Sequence, residues 1–150
     1  MDFSTNQIKQ ILVPVDGSQA SLDALALACL LARQNKGKVY AVYVIEVART
    51  LPLDAELNPE TAKGEEILAR AEQVADSLEF EITTEILKAR DAGPAVVDDA
   101  IEHVVGGILV GVEYKRPLGE FQLGRTSQYI LRNAPCQVMI CRSAAGSAGE

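Results

Sequence analysis

A chain of 150 residues and 16.1 kDa that is 48% hydrophobic can build one domain with a sizeable core, whereas two half-length domains would each be marginal. Fourteen basic against twenty-one acidic residues leave a net charge of -7, which repels phosphate backbones and argues against DNA or RNA as a partner. Three cysteines without CxxC spacing support neither a disulfide framework nor a thiolate metal site, and the absence of a signal-peptide pattern or long apolar run leads us to expect a cytoplasmic protein without membrane insertion.

The first apolar run, Ile11 to Val15, reads as a strand that passes directly into Asp16-Gly17-Ser18. Ser18 or Ser21 can cap the helix that follows, which carries Leu22, Leu25 and Cys29 and stops at Asn35-Lys36-Gly37. A second strand spans Val39 to Val47, and Ala48 opens the longest loop, a candidate lid or oligomer contact. The second helix, from about Pro59 to Leu78, places Ile67, Ala71, Val74 and Leu78 on one face. After a third strand, Glu81 to Leu87, the Gly93-Pro94 pair opens a third helix. Its apolar face is expected to carry Val97, Ala100, Ile101 and Val104, leaving Asp98, Asp99, Glu102 and His103 in water. A fourth strand, Gly107 to Val112, leads into a glycine-punctuated loop. The last helix, from near Leu123 to Asn133, is expected to bury Leu123, Ile130 and Leu131 and is closed by Ala134-Pro135. The fifth strand is Gln137 to Cys141. Residues 1–142 read as a single domain and 143–150 as a disordered tail.

Strict alternation of strand and helix predicts an α/β fold of three layers, a five-stranded parallel sheet with four helices, Rossmann-like in plan. Right-handed crossovers from a central first strand give the order 3-2-1-4-5. Ligands in such sheets bind beyond the carboxyl ends of the strands where the order reverses, here between strands one and four.

The two segments that meet there carry suggestive chemistry. Asp16 ends an apolar strand, and a carboxylate there must either face the crevice or accept bonds from the next turn; as a ligand it suits ribose hydroxyls or an adenine amino group, and as structure it suits an Asx turn with Gly17. Gly111 and Gly124 permit close backbone approach, while Gly124, Arg125 and Thr126 at a helix start could hold phosphate oxygens. The same residues equally make a turn and a helix cap with no ligand. Lys115, Arg116, Arg125 and Arg132 outnumber Glu113 and Glu120 in this stretch of an acidic chain. Neither GxxxxGK[ST] nor GxGxxG is present, nor is a nucleophile-elbow GxSxG, so a P-loop hydrolase, a dinucleotide oxidoreductase and a serine hydrolase are disfavoured. The single histidine, His103, reads as solvated on a polar helix face.

These residues together resemble the universal stress protein family from Ile11 to Arg142. The resemblance rests on Ile11-Leu-Val-Pro-Val-Asp16-Gly-Ser18, on Val42-Tyr-Val44, on Gly93-Pro94 and on Arg132-Asn-Ala-Pro-Cys-Gln-Val138. ATP-binding members show glycine, two residues, glycine, nine residues, then glycine with serine or threonine; here that spacing falls on Gly111, Tyr114 and Gly124-Arg125, so two of the four positions differ. The resemblance implies that Asp16 and Val44 contact adenosine, that Gly111 contacts ribose or phosphate, and that Gly124, Arg125 and Thr126 bound the phosphate site. It places Tyr114 where binders keep open backbone, either blocking a triphosphate or stacking on another ligand. It implies a regulatory, non-enzymatic protein binding an adenine nucleotide, ATP or AMP, with Mg2+ as an optional companion and slow or no hydrolysis. It also implies a homodimer through the last strand, Gln137 to Arg142. The alternative is a dimeric interaction module that does not bind nucleotide and regulates a partner such as a membrane transporter.

Overall fold

The computed structural model describes residues 8–116 and 118–145, so the end of the expected tail, residues 146–150, lies outside the described residues. Nine elements alternate along it: β1 (Gln10–Pro14), α1 (Gln19–Gln34), β2 (Lys38–Glu46), α2 (Asn58–Ser77), β3 (Thr83–Ala89), α3 (Ala92–Glu102), β4 (Gly107–Val112), α4 (Arg125–Asn133) and β5 (Gln137–Arg142). Every pairing is parallel and the sheet order is β3-β2-β1-β4-β5, as the alternation and handedness arguments predict.

The sheet divides the core in two. On one side Ile11, Val13, Val39, Ala41 and Leu109 meet Leu25, Ala28 and Cys29 of α1 and Ile67, Leu68 and Ala71 of α2. On the other, Leu12, Val42, Ile108 and Val110 meet Val96, Val97 and Ala100 of α3 and Ile130 of α4. The central strand β1 is apolar on both faces, with Ile11, Leu12 and Val13 fully buried, as a strand covered by helices on both sides requires.

Local chemistry explains the first helix start. Ser18 is the N-cap of α1 and its Oγ accepts from Ser21 N at 3.1 Å. Ser21, the other candidate cap, lies inside the helix, and its hydroxyl donates to Ser18 O at 2.8 Å.

Three expectations about side-chain exposure are corrected. In α3 the buried stripe is Val96, Val97, Asp99 and Ala100, while Ile101 and Val104 are exposed by 54% and 81%. Asp99, expected in water, is 5% exposed, and His103, expected to be solvated, stacks on Tyr40 with ring centroids 4.2 Å apart. In α4, which starts at Arg125, Leu131 is 46% exposed and Leu123 precedes the helix, leaving Ile130 and Ser127 as the buried residues. A nine-residue helix presents only about two and a half turns to the sheet, so one aliphatic anchor fills the space below it.

Candidate functional site

The carboxyl ends of β1, β2 and β4 define the site. Val15 N donates to Val42 O at 2.9 Å, and the β1/β2 register, continued two residues past Pro14 and Val42, sets Asp16 level with Val44. Asp16 is exposed, and its Oδ1 accepts from Ser18 N at 2.9 Å across Gly17, whose φ of 90° demands a residue without a Cβ. The Asx turn is thus formed through one carboxylate oxygen of an exposed side chain. Val44 and Val112 are half-buried and close the top of the α3/α4 side of the core together with Tyr129.

Gly111 and Gly124 differ in what surrounds them. A Cβ on Gly111 would collide with the carbonyl oxygen of Ala20, so the close approach that this glycine permits is taken up by the first turn of α1. Gly124 is the N-cap of α4, with φ -71° and ψ 171°, and a Cβ there would meet nothing within 4 Å. Having no side chain, it gives no capping bond, so the first N–H groups of α4 point to the space in front of the helix. Arg125 and Thr126 stand at that start.

In front of α3 and α4 lies a cavity of about 240 Å³ lined by Asp91, Ala92, Gly93, Pro94, Arg125, Thr126 and Tyr129. Gly93 is needed for its shape, because a Cβ there would fall 2.8 Å from Cβ of Tyr129. Larger grooves of about 460 and 610 Å³ lie along α2 and β3, but Glu72 and Asp76 line both and would repel a phosphate.

Sequence reading missed the acidic partners at this rim. Glu46, ending β2, accepts from Ala92 N at 3.0 Å and so caps α3 through space. Arg125 Nη2 stands 3.7 Å from Glu46 Oε2 and 4.0 Å from Asp91 Oδ1, and Arg49 Nη2 lies 3.2 Å from Asp91 Oδ2. With the Arg125 side chain 82% exposed, these pairs are weak and readily exchanged for a bound anion. Asp91, immediately before a helix start, is the one signal of the group that a sequence carries; the reach of Glu46 across to Ala92 depends on the sheet.

The basic excess of the loop is largely occupied. Lys115 Nζ lies 3.1 Å from Glu113 Oε2. The Tyr114 ring lies parallel to Phe121 at 5.9 Å between centroids, with the Arg142 guanidinium 4.5 Å and that of Arg116 5.8 Å from its centroid. The Tyr114 N–H donates to Ser143 Oγ at 2.8 Å, and Ser143 N donates to Val112 O, which ties the loop to the end of β5. Tyr114 is therefore a fastening point between loop and sheet edge, while Arg125 and Thr126 line the cavity in front of α3 and α4 and Asp16 and Val44 stand at the carboxyl ends of β1 and β2.

Compared with known proteins, residues 7–142 match the family model described as the universal stress protein family. A universal stress protein of Methanocaldococcus jannaschii is 32% identical over 143 residues, covering 91% of this chain and 84% of that protein. Among solved structures, the universal stress protein from Archaeoglobus fulgidus in complex with dAMP superposes with a TM-score of 0.71 at 19% identity, covering 89% of this chain and 98% of that one. A universal stress protein in complex with cAMP gives 0.70 at 20% identity, with 92% and 99% covered.

Proposed function

The chain belongs to the universal stress protein family, and from that premise we propose that it is a regulatory protein whose strand-end opening takes an adenine nucleotide. The observation that supports this reading is that Asp16, Val44 and the uncapped start of α4 all lie at the carboxyl-terminal end of the parallel sheet. Asp16 offers the carboxylate oxygen not used by the Asx turn to ribose hydroxyls or the adenine amino group, and Val44 supplies apolar surface for the base. Phosphate oxygens take the N–H groups at Arg125 and Thr126, the Thr126 hydroxyl and the Arg125 guanidinium, which exchanges Glu46 and Asp91 for them. Gly111 acts indirectly, by letting the first turn of α1 tuck against β4. The dAMP and cAMP held by solved relatives support a monophosphate, which also suits the small cavity. ATP with Mg2+ would have to extend past the Tyr114 fastening. Because the sole histidine sits at the other end of α3, the opening has no imidazole base, and hydrolysis is slow or absent.

Titration calorimetry with ATP, ADP, AMP and cAMP tests this. At least one is expected to bind, and Asp16→Ala should weaken it roughly tenfold or more, the scale of one hydrogen bond to a charged group. Absence of heat and of any melting shift with all four would overturn the proposal.

A second reading is favoured by Tyr114 and Arg125 already having partners: a dimeric module that docks onto another protein without nucleotide. The mass of whatever leaves freshly purified protein on denaturation separates the two, since co-purified nucleotide supports the first and an empty opening together with silent calorimetry the second.

A further inference from the structure

The polar cluster between α3 and β3 has no part in the nucleotide site and lies beside the C-terminal end of α3. On that helix Val96, Asp99, Ala100 and His103 occupy one stripe, so two ionisable residues stand where the spacing calls for core. Opposite them, Glu85 of β3 pairs in register with the fully buried Val42, and Thr83 and Leu87 two residues away share its face of the sheet. Tyr40 of β2 lies under the His103 ring with an interplanar angle of 14°, which fixes the imidazole plane.

Within the cluster His103 Nε2 lies 2.7 Å from Glu85 Oε1 and 3.6 Å from Asp99 Oδ1. The other oxygen of Asp99, Oδ2, is buried and has no hydrogen-bond partner. Two carboxylates and one imidazole therefore crowd one spot in which Asp99 is buried and Glu85 and His103 are half-buried, with at best one compensating positive charge. Such a spot is costly unless a further positive charge or proton enters it.

We propose that Glu85, Asp99 and His103 form a binding site for one divalent first-row transition-metal cation, with Zn2+ the best match to the donor set. One ligand atom from each residue lies within 4.8 Å of the others. Small side-chain rotations bring them to the roughly 3.4 Å mutual spacing that bonds of about 2.0–2.2 Å impose around a tetrahedral ion. One nitrogen and two carboxylate oxygens suit Zn2+ and its neighbours in the series and leave a fourth position for water. The ion would bond to Asp99 and replace the missing charge, tying α3 to the edge strand β3.

The test uses untagged full-length protein, stripped with EDTA and titrated with ZnCl2 while calorimetry and proton NMR are recorded. Because the chain has one histidine, its ring resonances report on His103 alone. One Zn2+ per chain is expected, with those resonances shifted as the ion fills the site, and at least hundredfold weaker binding in His103→Gln. Asp99→Asn should behave alike; if removing this buried charge prevents folding, Glu85→Gln, on a half-buried side chain, takes its place. Co2+ should give tetrahedral visible bands without thiolate charge transfer. Absence of stoichiometric binding, full binding by His103→Gln, or thiolate charge transfer pointing to Cys136 or Cys141 would each overturn the proposal. Titration with AMP alone checks the nucleotide reading separately, since the two sites share no residue.

Discussion

Cys29 lies in the middle of α1 with none of its surface exposed, and burial pushes its thiol from 9.0 up to about 11. A raised value in the fold means the folded chain holds this proton more tightly than the unfolded one. The thiol's contribution to stability is therefore complete below pH 9.0 and is lost as pH rises from 9.0 towards 11. Urea unfolding of the native chain and of Cys29→Ala across that range should show a steeper fall for the native chain; parallel curves would contradict it. Three glycines that look alike in sequence differ in their surroundings. Gly111 yields to the Ala20 backbone, Gly93 yields to Tyr129, and Gly124 borders open space. Only the last has open space where a Cβ would stand, and nothing in the letter G distinguishes it.

Among the elements, the β2–α2 connection shows how a long loop is held. Arg90, just beyond β3, donates through Nη1 to Ala48 O at 2.7 Å and to Leu51 O at 2.8 Å, and Lys88 Nζ donates to Ala55 O at 2.7 Å. Hydrogen bonds from charged donors contribute about 1.5–3 kcal/mol each. Arg90→Met should therefore raise the rate of protease cleavage within residues 48–57 about tenfold or more while leaving the melting temperature of the domain nearly unchanged. An unaltered cleavage rate would show that the loop is held by other means. Helix α3 shows the converse lesson. Its spacing admits two apolar stripes, one running on through Ile101 and Val104 and one through Val96 and Ala100; packing against the sheet selects the second, with Val97 at its border, and carries Asp99 inside.

For the whole molecule, β5 is an edge strand, backed by β4 on one side. Its residues 138–141 are half-buried, and an edge with unpaired N–H and C=O groups is normally covered. Pairing of Gln137 to Arg142 with the same strand of a second copy predicts a sedimenting mass twice the 16.1 kDa of the chain, and a monomer at micromolar concentration would count against it. No helix among the described residues is long and apolar enough to cross a membrane. The alternation of β-branched runs with helical periodicity determined the five strands, the four helices and, through the handedness of crossovers, the sheet order. It also placed Asp16 and the start of α4 at the same end of the sheet, because topology follows from element order and strand ends follow from topology. What the tertiary structure alone decided are contacts between residues far apart in the chain: Glu46 capping α3, Tyr114 fastened to Phe121 and Arg142, and Glu85, Asp99 and His103 gathered behind Tyr40. Periodicity records which face of an element is apolar, but the rotation of that element against its neighbours is set by packing, and packing decides which polar side chains meet.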